Sequence, residues 1–272
     1  MPLTDPQTLK NLLRKYSIEP TKYLGQNFLI DEKALQNLID AANLSKDDVV
    51  IEVGAGVGTI TVELLKRAKK VIAVEKDKAL IPILKEATKS FKNIEIIVGD
   101  ILKIDLSFVI SHWSLIGNIP YYLTAPLLRK FLEAQNPPSL IVLMVQKEVA
   151  QRICASPPDM SILAVSVQVY AKPEIVAYVS RTSFWPTPKV DSAIIKVVPY
   201  PHDRKFNVRK FFLVLKTGFS NPRKQLINNL SKGLKLNRMQ TEQWLASSRI
   251  DPKRRAETLS VDEWIRLSAS VI

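Results

Sequence analysis

Asn118-Ile119-Pro120-Tyr121 directly follows the apolar run Trp113-Ser114-Leu115-Ile116-Gly117, so an amide and an aromatic ring stand where a strand gives way to a loop. That combination suits alkylation of an amino group on a flat base. An exocyclic base amine is a poor nucleophile because its lone pair is delocalised into the ring. A site helps by accepting hydrogen bonds from both N–H groups, and the Asn118 side-chain carbonyl and the Ile119 backbone carbonyl can do so. Pro120 has no N–H to donate and stiffens the turn, while Tyr121 offers a face on which a base can stack.

A second segment lies upstream. Val49-Val50-Ile51-Glu52-Val53 is a β-branched run that enters Gly54-Ala55-Gly56-Val57-Gly58 and then a helical pattern from Thr59. Strand, glycine loop and helix together make a site for a nucleotide-like ligand, because backbone without side chains can approach it and a helix N-terminus exposes N–H groups. A dinucleotide fingerprint would place another glycine at 59. Thr59 stands there, which argues against a pyrophosphate clamp and toward an adenosyl ligand. Val71–Val74 ends in Glu75, at the spacing where a carboxylate takes ribose hydroxyls. Ile94–Gly99 ends in Asp100, which can accept from an adenine amino group. Three candidate contacts at successive strand ends fit the carboxyl edge of an open α/β sheet.

The elements needed to hold those residues are visible as alternating patterns. Strands are expected at 49–53, 71–75, 94–98, 114–117 and 140–145, and helices at 60–69, 78–89, 124–135 and 147–154. Near-continuous apolar strands separated by helices predict a mostly parallel sheet covered on both faces. Residues 161–171 are read as helix, and strands at 174–180 and 192–198 flank Phe184-Trp185-Pro186-Thr187-Pro188-Lys189. The prolines there hold the loop open, and Phe184 is expected to form an aromatic wall near the site. Before the first strand, Asp31 is expected to cap a helix burying Leu35, Leu38 and Ile39.

Tyr200-Pro201-His202-Asp203 reads as a linker, giving a first domain over 1–200 and a helical second domain over 201–272. In the second, Asn221-Pro222 and Asp251-Pro252 each place a cap residue before proline, and Ser260–Glu263 has capping-box spacing. Phe211, Phe212, Leu215 and Phe219 form a stripe read as core.

Charge separates the two parts. The chain of 272 residues carries +13, with 15 Lys/Arg against 6 Asp/Glu after residue 200 and 24 against 20 before it. This asymmetry points to a polyanionic partner, nucleic acid rather than membrane, since no long basic amphipathic helix is present. Arg223, Lys224, Lys253, Arg254 and Arg255 cluster at expected helix starts and turns, and phosphate contact is their preferred reading.

The remaining composition excludes whole classes. A single cysteine rules out an internal disulfide framework, and His112 and His202 stand apart from any Cys/His cluster, so no metal site is expected. Cys154 lies on a helical pattern and reads as a packing residue. The longest strictly apolar run, Leu140 to Val145, is far too short to cross a bilayer, and no secretory apolar region is seen near the N-terminus. A soluble, unprocessed cytoplasmic protein is expected. Gln7 to Tyr16 spaces Leu9, Leu12, Leu13 and Tyr16 on one face and reads as a docking helix rather than a targeting one.

Leu24-Gly25-Gln26-Asn27-Phe28-Leu29, Glu52–Gly58, Asn118–Tyr121, Phe184–Ser192 and Arg223–Leu230 together resemble the KsgA group of rRNA adenine dimethyltransferases, over nearly the whole chain. The resemblance implies an α/β fold, a class I Rossmann-like methyltransferase with a seven-stranded sheet, plus a small all-helical C-terminal domain. It implies S-adenosyl-L-methionine as cofactor, held by Asn27, Leu29, Gly54, Glu75, Asp100 and Asn118. It implies a catalytic base pocket of Asn118, Tyr121 and Phe184. The implied substrate is a pair of neighbouring adenosines near the 3′ end of small-subunit rRNA, each methylated twice on N6. The partner is then the small ribosomal subunit, and a monomer is expected. Tyr122 stands where the group more often has Asn, and Pro157–Ser161 is shortened. Two other readings compete: a single-adenine large-subunit methyltransferase of the antibiotic-resistance type, and a non-catalytic assembly or transcription factor on the same fold.

Overall fold

The computed structural model describes residues 3–106, 112–201 and 206–270; His202 and Asp203 of the expected linker lie outside the described residues. Helix α1 (Pro6–Lys15) is capped by the Asp5 carboxylate, with proline in the first turn where its missing N–H costs nothing. A two-residue strand β1 (Phe28–Leu29) precedes α2 (Glu32–Ala42), which Asp31 caps as expected through Ala34 N. Then β2 (Val49–Val53), α3 (Thr59–Arg67), β3 (Lys70–Glu75), α4 (Ile81–Thr88) and β4 (Ile94–Val98) alternate. The next elements are β5 (Trp113–Asn118), α5 (Thr124–Leu132), β6 (Leu140–Gln146), α6 (Lys147–Ile153) and α7 (Ile162–Gln168). Strands β7 (Ala171–Val179), β8 (Phe184–Trp185) and β9 (Ser192–Pro199) follow, and α8 (Val208–Gly218), α9 (Leu226–Leu234), α10 (Arg238–Ser247) and α11 (Val261–Ala269) complete the chain.

Seven strands form one sheet in the order β4-β3-β2-β5-β6-β9-β7, and β1 pairs antiparallel with β8 in a separate ribbon. The ladders from β4 to β6 are parallel and β9 runs antiparallel to β6. The chain winds outward from β2 through β3 to β4, then returns to the other side of β2 with β5. The switch point therefore lies between β2 and β5, and their carboxyl ends flank the crevice where open α/β sheets bind ligands. Val50, Ile51, Leu115, Ile116 and Ile141–Val145 are buried, each side chain worth about 1.5–3 kcal/mol out of water, so the apolar strand runs fix the centre of the sheet.

Contacts divide the molecule into two compact units, Met1–Ala150 with Pro173–Pro199 and Gln151–Lys172 with Tyr200–Ile272. In the second, Ala164, Val165 and Val169 pack with Phe211, Leu215, Phe219 and Trp264, so the stripe expected as core is core, with Phe212 only partly covered. Ser260 closes the capping box with Glu263. Asn221 and Asp251 differ from expectation. Each accepts from the backbone N–H two residues on, at Arg223 and Lys253, and so closes a turn instead of starting a helix; α9 begins only at Leu226. Two expected helices also stop early, at Arg67 and Leu132, and Ala171 already belongs to β7.

Candidate active site

Backbone conformation shapes the first wall. Gly54 follows β2 with φ of +74°, a left-handed geometry that a side chain would strain, and its N–H bonds Val74 O. The loop then turns so that Gly56 N donates to Glu75 Oε2 at 2.8 Å, while Asp77 N donates to Oε1 at 2.7 Å. Both oxygens of Glu75 are thereby aimed, and each keeps a lone pair for a hydroxyl. Burial pushes the Glu75 carboxyl up, and the N–H groups of Asp77 and Gly56 work against that rise. Register places Glu75 opposite Val98, so Asp100 follows at the next strand end. Burial also acts on Asp100, but the Leu102 N–H and the Lys76 ammonium, 3.1 Å from Oδ2, hold its carboxyl below the usual range.

Asn118 closes the other side. Its Nδ2 donates to the Asn27 carbonyl at 3.0 Å, an assignment that only the amide nitrogen can satisfy, and no described residue donates to Oδ1. Asn27 is held in turn through its own Nδ2 to Gly25 O, and a Cβ on Gly25 would lie 3.1 Å from Pro120 Cβ. The Leu24–Leu29 segment thus lies along the Asn118–Tyr121 turn. Tyr121 begins a short 3-10 turn, and its hydroxyl sits 2.9 Å from Ser192 Oγ. Burial raises its phenol pKa, with Ser192 partly offsetting this.

These walls enclose a cavity of about 1100 Å³, including the part open to solvent. Asn27, Leu29, Gly54, Glu75, Asp100, Asn118 and Tyr121 all line it. Phe184 does not. It is 2% exposed, pairs with Leu29 across the β1–β8 ribbon and packs into the core with Ile194 and Val179. The expectation that its ring walls the base pocket is therefore corrected: Phe184 stands before Pro186 and Pro188 in the short β8 strand, and the ribbon turns its ring into the core. Sequence reasoning also missed Lys76, Gln26 and Tyr122, which border the cavity. Gln26 reaches Asp77 Oδ2 at 2.7 Å, a contact with no sequence signal.

Beneath the glycine loop, Glu52 is fully buried and neither carboxylate oxygen has a hydrogen-bond partner. Burial pushes its pKa up to about 8, with Glu75 adding to the rise. The nearby Thr61 hydroxyl works against it, although it makes no well-formed bond. Among the described residues no cluster of His, Cys, Asp and Glu can hold a metal ion, and no helix is long and apolar enough to cross a membrane.

A cavity with two carboxylates, a glycine edge and an amide acceptor beside a tyrosine fits an adenosyl cofactor and a base. Residues 19–272 match the ribosomal RNA adenine dimethylase family. The chain belongs to that family. It is 41% identical over 273 residues to the ribosomal RNA small subunit methyltransferase A of Alkaliphilus oremlandii (strain OhILAs), covering 96% of this chain and 95% of that one. A protein of the same name from Dehalococcoides mccartyi (strain CBDB1) is 43% identical over 263 residues, covering 95% and 90%. Among solved structures, a dimethyladenosine transferase from Plasmodium falciparum superposes with a TM-score of 0.76 at 28% identity, over 88% of this chain and 95% of that one. The 23S rRNA methyltransferase ErmE gives 0.74 at 26%, over 90% and 99%. This rRNA adenine dimethylase is an S-adenosylmethionine-dependent enzyme, and the donor set of Glu75, Asp100 and Asn118 fits that cofactor.

Proposed function

We propose that this rRNA adenine dimethylase acts on small-subunit rRNA, methylating N6 of two neighbouring adenosines near its 3′ end twice each, as a cytoplasmic monomer. The naming of its full-length relatives as small subunit methyltransferases supports the choice of subunit. Glu75 would take the ribose hydroxyls, Asp100 the adenine amine, and Gly54, Asn27 and Leu29 the remaining cofactor contacts along the cavity wall. When bound, the cofactor supplies an electrophilic methyl group on a sulfonium.

The observation carrying the mechanism is the orientation of Asn118. Because its amide nitrogen is committed to Asn27 O, its Oδ1 can accept from the target amine together with the Ile119 carbonyl. Both acceptors draw electron density toward nitrogen and stabilise the positive charge that develops there. The Tyr121 face stacks the base and adds to that stabilisation, and the proton leaves to water. N6 is unreachable in a stacked, paired helix, so the base must be splayed out first. In the second unit, exposed Arg223, Lys224, Lys253 and Arg255 would contact phosphates. Arg254 is committed elsewhere, bonded to Glu263 and Thr258.

The similarity to ErmE keeps the large subunit as a rival substrate. Methyl-deficient small and large subunits, separated and incubated with radiolabelled donor, distinguish the two. Label in the small subunit, with N6,N6-dimethyladenosine found by mass spectrometry of its rRNA, is expected. Label confined to the large subunit would reverse the proposal.

A further inference from the structure

A phenylalanine would stack on a base as well as a tyrosine does, so stacking alone gives the Tyr121 hydroxyl no task. That hydroxyl is 2.9 Å from the Oγ of Ser192, which is completely buried. We infer that Ser192 is a positioning residue for methyl transfer: it grips the far end of the Tyr121 ring and fixes the plane against which the target base lies. The inference rests on the reading of Tyr121 as the stacking ring.

Both ends of the ring are then held. At the backbone end, Thr124 Oγ1 donates to Tyr121 O at 3.1 Å and Leu123 N bonds Pro120 O. At the hydroxyl end, Ser192 opens β9 opposite Gln146 of β6. The preceding Asp191 is fixed as well, accepting from Lys147 N through its carbonyl and from Arg181 N through its carboxylate. The two groups that would meet the base also share one ruler. Met144 of β6 faces Asn118 on one side and Ile194 on the other, so the register that places the amide also places the anchor two residues before Ile194. This assigns the Phe184–Ser192 segment a bracing role. Its first residue ties the ribbon to Leu29, and its last ties down Tyr121.

A double-mutant cycle tests the inference. Ser192→Ala and Tyr121→Phe should each lower kcat about 3- to 10-fold on methyl-deficient small subunits, the effect of one net hydrogen bond. Cofactor affinity should stay near that of the parent, and the melting temperature should fall by no more than the loss of one hydrogen bond explains. The double variant should be no slower than either single one, because both remove the same bond. Losses that multiply in the double variant would overturn the inference. So would a Tyr121→Phe enzyme with the parent rate, or a Ser192→Ala enzyme that melts earlier yet turns over normally. Should Ser192→Ala fail to fold, Tyr121→Phe interrogates the same bond from the other side. A Tyr121→Ala enzyme of normal rate would instead remove the stacking reading itself, an outcome distinct from loss of the anchor.

Discussion

At the scale of single residues, two side chains carry opposite assignments. Asn118 presents its oriented Oδ1 while its Nδ2 holds the Asn27 carbonyl, so Asn118→Ala should cut turnover roughly 10²-fold or more and weaken cofactor affinity far less, measured by single-turnover methyl transfer and calorimetry on the same preparation. Glu52 makes no hydrogen bond and does not line the cavity, yet its burial holds the carboxyl protonated well above the usual carboxylate range. Its pKa is near 4.5 in the unfolded chain and about 8 when folded. Between those values the native state keeps a proton that the unfolded chain has released, so this group lowers stability as pH rises through that window, at about 1.4 kcal/mol per unit, and adds nothing further above it. Glu52→Gln removes the titration. Its melting temperature should match the parent near pH 4.5 and exceed it increasingly toward pH 8; a constant offset across that range would show that Glu52 is charged when folded.

At the scale of elements, close approach of β2 and β5 sets the crevice. A Cβ built on Gly117 would lie 2.4 Å from Val53 O, so Gly117→Ala must push the two strands apart just before Asn118. A loss of roughly 1–3 kcal/mol in urea unfolding, with reduced turnover in the remaining folded enzyme, is expected. Unchanged stability would mean that the strands are looser than this packing requires. The parallel sheet was legible because apolar runs and glycine loops repeat with helical patterns between them, and the cavity residues from Gly54 to Asn118 follow from strand ends. The β1–β8 ribbon was not legible, since two residues per strand carry no periodicity, and Phe184 was misplaced for that reason. The Asn27–Asn118 bond runs through a backbone carbonyl, which no side-chain pattern reports. Asn221 and Asp251 were misread because an Asx turn and a helix cap use the same side chain on a nearby N–H.

At the scale of the molecule, the charge imbalance read from the sequence becomes a distinction among individual cations. Arg223, Lys224, Lys253 and Arg255 are exposed, whereas Arg254 is spent on Glu263 inside its own unit. Four phosphate contacts would give RNA affinity a log–log salt slope near −3 to −4 from these residues. Replacing all four with glutamine should flatten the slope by about that amount, as measured by filter binding over a salt series; an unchanged slope would assign RNA contact to another face. The relation between binding and chemistry depends on one corner, where the Asn118 carbonyl oxygen and the Ile119 carbonyl meet the Tyr121 ring. A crystal structure with S-adenosylhomocysteine and adenosine bound examines that corner most directly. The adenine amine is expected about 2.7–3.2 Å from Asn118 Oδ1 and from the Ile119 carbonyl, with its ring lying on Tyr121. A nucleoside seated elsewhere, or one whose amine turns away from Asn118, would contradict the mechanism.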